Sequence, residues 1–184
     1  ARLLTAPRGN AGTTDKEPRL PHEYVRAIAD IAADLSGPAR AIGSEAVVAA
    51  RHAAAAEAAL SQEIQTLARD ADPIEAARLE QKLGTLATVA DAETDEQRKL
   101  RGLLSDQLEL MRRLTTRLQE TQGRRERVQE LLRTLWLQIA NLRAADVADK
   151  FEASAVTDRV RAVCADIERY TGAMSEINSP RPPA

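Results

Sequence analysis

The sequence predicts an all-α protein: a long antiparallel, coiled-coil-like helical hairpin with short N- and C-terminal helices packing at its open end. Three observations predict it. Ala, Leu, Arg, Lys and Glu fill 98 of the 184 positions, a composition that marks long helices when helical periodicity accompanies it. Aromatic residues are 2% of the chain, and strands favour aromatic and β-branched residues. A heptad stripe also runs through the second half of the chain without a slip.

Residues 1–20, ARLLTAPRGNAGTTDKEPRL, hold Pro7, Gly9, Gly12 and Pro18 and show no period, which predicts a flexible linker. A single helical domain follows over 21–178. Its first helix spans about 21–35, with Tyr24, Ile28, Ile31 and Leu35 on one face and Ser36-Gly37-Pro38 as a stop. A second, over 38–71, carries Ile42, Ala46, Ala49, Ala53, Ala56, Leu60, Ile64 and Leu67 at helical spacing. Asp72-Pro73-Ile74-Glu75 reads as N-cap, first helical residue and acidic first turn of a third helix over 73–90. That helix uses Leu79, Leu83, Leu86 and Ala90, and Pro73 forces a break or a kink before it.

Asp91 to Asp95 reads as the hairpin tip, and Thr94 with Gln97 fits a capping box for a helix over 94–144. From Leu100, the positions Leu104, Gln107, Met111, Leu114, Leu118, Thr121, Arg125, Val128, Leu132, Leu135, Ile139 and Leu142 alternate steps of four and three. A last helix over 147–177 puts Val156, Val160, Val163, Ile167, Tyr170, Met174 and Ile177 on one face, with a bend near Ser154. Residues 179–184, SPRPPA, form an extended, unpacked tail.

Charge favours pairing of the two arms. Ala53–Glu96 holds 10 acids and 3 bases, Gln97–Arg143 holds 11 bases and 5 acids, and opposite fields select each other over self-pairing. With a turn near residue 93, Glu63 is expected near Thr121 and Arg125, and Ala49, Ala50 and Ala53 near Trp136 and Leu132. The overall charge of −2 supplies no basic field for nucleic acid or an anionic membrane. No apolar run reaches the roughly 18 residues of a membrane span. Cys164 has no cysteine partner, which favours a reducing, cytoplasmic setting. The chain starts at Ala1 without an initiator Met, as a piece of a longer protein would.

Neither His22 nor His52 stands in a catalytic frame, and no Cys/His group has metal-ligand spacing, so no enzyme activity, cofactor or metal is expected. Cys164 beside Val163 reads as a buried, inert thiol. Two arginine clusters, Arg112, Arg113 and Arg117, then Arg124, Arg125 and Arg127, have the chemistry to contact phosphate. Stacking aromatics are missing and an acidic arm faces these clusters, so nucleic acid is not the expected partner. In LLRTLWLQIANLRA, Leu131, Leu135, Trp136, Ile139 and Leu142 spread over more than one helical face and call for at least two neighbours. They form a candidate interaction surface, either for the terminal helices of the same chain or for another chain.

LLRTLWLQIANLRA (131–144) and VTDRVRAVCADIERY (156–170) resemble helical regions that follow the catalytic domain in some bacterial serine/threonine protein kinases. No glycine-rich loop, His-Arg-Asp or Asp-Phe-Gly motif is present, so no catalytic residue carries over. The resemblance implies a non-catalytic region for oligomerisation, membrane-proximal spacing or partner docking. The resulting expectation is a non-enzymatic helical scaffold or interaction module that self-associates or binds a protein partner; the alternative is a nucleic-acid-associated rod using the arginines.

Overall fold

A computed structural model of the chain describes residues 17–87, 94–148 and 150–178. These residues form five helices and no strand: α1 (Pro21–Asp34), α2 (Gly37–Asp70), α3 (Pro73–Ala87), α4 (Asp95–Ala148) and α5 (Lys150–Asn178). The all-α class follows from the composition. The described residues divide into two compact units, one within Ala1–Arg51 and Leu132–Asp166, the other within His52–Leu131 and Ile167–Ala184.

The first unit gathers α1 and the stretches of α2, α4 and α5 that fall within it. Tyr24, Ile28, Ile31 and Leu35 are buried as their spacing predicts, with Ala32 beside them. α1 begins at a Pro at its first position, and the Glu23 carboxylate accepts from the backbone N–H of Arg19 (2.8 Å) and Leu20 (3.1 Å). Leu20 has no side-chain acceptor to return a bond, so this is half of a capping box. The partners of α1 on α4 climb together: Glu17 pairs with Arg133 at 2.7 Å, Tyr24 meets Trp136, Asp34 pairs with Arg143 at 3.7 Å, and the Ser36 hydroxyl donates to Asp146 at 3.0 Å. The two helices are therefore parallel here. Gly37, at φ +50°, takes the left-handed conformation that turns the chain from α1 into α2.

In this unit Ala46, Ala49 and Ala50 are fully buried, as are Leu132, Leu135, Ile139 and Leu142. The small alanines and large aliphatics are thus core residues of one unit, the mixture that interdigitation needs. Val160 and Cys164 of α5 are buried as well.

In the second unit the partners run in opposite directions. Gln129 donates to Glu57 (3.0 Å), Arg117 pairs with Glu63 (2.8 Å) and Arg112 with Glu80 (3.2 Å), so numbers fall along α4 as they rise along α2 and α3. Leu79, Leu104 and Leu108 form a small core with Leu83, Leu86 and Met111 against it. Asp72 caps α3 by accepting from the Ile74 N–H at 2.9 Å, and two residues without helical structure separate α3 from α2, so the chain breaks at Pro73. Thr94 and Gln97 form the reciprocal box that the sequence predicts, at 2.9 and 3.3 Å.

Several boundaries and registers differ from expectation. Residues 17–20 do not behave as linker, because Glu17 is tied to Arg133 and Arg19 and Leu20 to Glu23; residues 1–16 lie outside the described residues. α4 does not end at 144, since Ala145 is buried and Asp146 is held by Ser36. α5 runs through the exposed Ser154 without interruption, since one serine within a helix costs only a few tenths of a kcal/mol. The heptad does slip at its start: Leu108, not Gln107, packs on α3, and Leu100 is 47% exposed. Ile74 is exposed and the α3 stripe begins at Ala76. Glu63 meets Arg117, one turn from the expected Thr121 and two from the expected Arg125. The tip residues 91–93, positions 88–90 and the tail 179–184 lie outside the described residues.

Candidate interaction surface

Of the two coverings left open for 131–142, the same chain or another, burial places these side chains within the chain. Leu131 is 8% exposed, and Leu135, Ile139 and Leu142 are fully buried. The neighbours those residues call for are supplied within the chain. Trp136 is half-buried; its ring stands edge-on to Tyr24, with centroids 6.1 Å apart and planes at 70°. That geometry directs a positive ring edge at a negative ring face.

Above Trp136 lies an open groove of about 340 Å³, walled by Arg19, Glu23, Arg26, Asp30 and Arg143. Its charges are mixed, and some of them already serve the fold: Glu23 caps α1 and Arg143 pairs with Asp34. No His or Cys lines it. Both histidines are exposed on helices, Cys164 is buried, and among the described residues no cluster of His, Cys, Asp or Glu has the makings of a metal site. No helix among them is long and apolar enough to cross a membrane.

The arginines sort into two kinds. Arg112, Arg113 and Arg117 pair with Glu80, Glu109 and Glu63, so their guanidinium groups already face carboxylates. Arg124 is half-buried and Arg127 exposed; Arg125, in the seam, has its Nε buried without a hydrogen-bond partner. The clusters therefore do not converge into one cationic patch.

A surface not anticipated by the seam lies near the start of α4. Leu100, Leu103 and Leu110 are 47%, 64% and 58% exposed, with Gln107 exposed between them and Leu114 half-buried beyond. Their spacing puts them on one stripe, roughly 130° around the helix from Leu104, Leu108 and Arg112, which face α3. α4 thus carries two apolar stripes here, and the second has no cover among the described residues. The signal was present in the sequence: Leu103 and Leu110, seven apart, are among the leucines that the counted seam leaves over.

No family model, no curated protein and no solved structure matches the chain.

Proposed function

We propose that the chain is a non-enzymatic helical scaffold or interaction module, suited to be the oligomerisation or partner-docking region of a larger bacterial signalling protein. One observation carries the reading: the stripe of Leu100, Leu103 and Leu110 stays in water although the helix that bears it is already packed on its other flank. Leucines at i, i+3 and i+10, which are a, d and the next d of a heptad, are what a facing helix takes up. The resemblance of 131–144 and 156–170 to the region following a kinase domain points to the same role.

The test is site-specific photo-crosslinking in the cells that make the protein, with the photoreactive residue at Leu103 and, as control, at exposed Ser105. Adducts with a protein, whether a copy or another chain, are expected from Leu103 above the control. A Leu103 probe that gives no adduct over control, in a chain that also sediments as a monomer at every concentration, overturns the reading.

A further inference from the structure

We propose that the leucine stripe of α4 is a self-docking surface, on which a second copy of the chain packs antiparallel in one particular register. The proposal rests on the docking reading above and adds occupant, direction and alignment. Taking Leu100 as an a position makes Leu103 d, Gln107 a, Leu110 d, Leu114 a and Arg117 d. On one side of this stripe the e positions, Leu104 and Met111, are turned into the seam with α3. On the other side the g positions are Lys99, Asp106, Arg113 and Glu120, all exposed, with signs that read plus, minus, plus, minus.

This charge pattern selects the partner. In an antiparallel pair each a residue faces a d residue of the other helix, and g faces g. With Gln107 opposite Leu110 of a second copy, Leu103 faces Leu114, Asp106 faces Arg113 and Lys99 faces Glu120. The two-fold axis repeats each contact, so opposite charges meet four times and like charges never. A shift of one heptad toward the N-terminus sets Asp106 on Asp106 and Lys99 on Arg113. A shift the other way sets Arg113 on Arg113 and Asp106 on Glu120. A parallel pair turns the charged g flank toward Leu104 and Met111, which offer it no charge. Exposed ion pairs add little affinity but penalise the wrong register. The leucines supply the attraction, and because the stripe is short the dimer is weak and concentration-dependent.

Sedimentation velocity on the full chain over a wide concentration range is expected to show a monomer–dimer equilibrium. Leu103→Glu with Leu110→Glu, both at exposed positions, weakens it by roughly tenfold or more while helix content and Tm stay as in the parent. Asp106→Arg and Arg113→Asp each weaken it about fivefold, and the two together restore it. Direction is read by spin labels on Gly123→Cys in a Cys164→Ala background, position 123 having open space around its Cβ. Labels about 45 Å apart are expected for this register, against roughly 10–15 Å for a parallel pair. A dimer indifferent to the glutamates, a charge swap that fails to restore, or a short label distance overturns the proposal. A strictly monomeric chain overturns it too, and if Leu103 then crosslinks only to a different protein, the docking reading survives without self-pairing.

Discussion

Tyr24 meets Trp136 edge-on at 6.1 Å, and this contact joins α1 to the part of α4 in the first unit. Tyr24 is 8% exposed, so its ring contributes burial as well as ring geometry. Tyr24→Ala is expected to destabilise the protein by about 3 kcal/mol in urea unfolding, in line with other buried aromatic truncations. The pair itself is read by the double-mutant cycle with Trp136→Ala, which should leave a coupling of ~0.5–1.5 kcal/mol. A coupling near zero would mean that the two rings are merely neighbours.

Glycines in these helices should respond in opposite directions to the same substitution. A Cβ on Gly43 would stand 2.9 Å from the Ala32 Cβ and 3.0 Å from the Leu35 Cδ1, where α1 lies close to α2. Alanine has no rotamer with which to give way, so Gly43→Ala is expected to cost about 1–3 kcal/mol despite better helix propensity. Gly84 and Gly123 have open space at the same atom, and alanine there should stabilise by about 0.5–1 kcal/mol each through propensity alone. Thermal unfolding of the three variants checks the signs.

The features legible in the sequence were those set by neighbours along the chain. Thr94 with Gln97, Asp72 before Pro73, and the Tyr24–Ile28–Ile31–Leu35 face depend on residues within one or two turns, and each is found as expected. The stripe of α2 from Ile42 to Leu67 is likewise buried or half-buried throughout. What local spacing could not supply was which of two stripes on α4 meets α3. Gln107 and Leu108 are adjacent, and a strict count of fours and threes lands on the glutamine, whereas burial takes the leucine. The same limit holds for 131–142: a segment apolar on several faces signals several neighbours, but periodicity does not tell whether they belong to the same chain.

Thr94 and Gln97 satisfy each other's backbone N–H groups at the start of the 54-residue α4. Thr94→Ala should cost about 1 kcal/mol, and Thr94→Ser should recover most of it. Because the box is exposed and terminal, its loss should appear chiefly as faster amide exchange in the first turn of α4, with the distant Tyr24–Trp136 contact unchanged.

Acid should loosen the start of α1. The backbone N–H groups of Arg19 and Leu20 hold the Glu23 carboxyl below its ordinary value of 4.5. Its folded value lies below its unfolded one, so the stabilisation is complete above the ordinary range and disappears as pH falls through the folded value. Amide protection at Arg19 and Leu20 is expected to drop over that acidic interval. Glu23→Ala should show the unprotected state at every pH, and a wild-type protein whose protection is flat through the interval would contradict the cap.

Arg117 reaches Glu63 through Nη2 at 2.8 Å and Nε at 3.2 Å, and the Glu63 side chain is 23% exposed. For this arginine to hold a phosphate it must leave a partly desolvated carboxylate, and Arg112 and Arg113 must leave Glu80 and Glu109. The wild-type chain is therefore expected to bind duplex DNA negligibly even at low salt. Replacing all three acids by glutamine frees three cations on one helix. Weak binding should then appear, with a log–log salt slope no steeper than about −2.7, the value for three phosphate contacts. A steep slope in the wild type would show that these arginines exchange carboxylate for phosphate readily, and would return the nucleic-acid rod to first place.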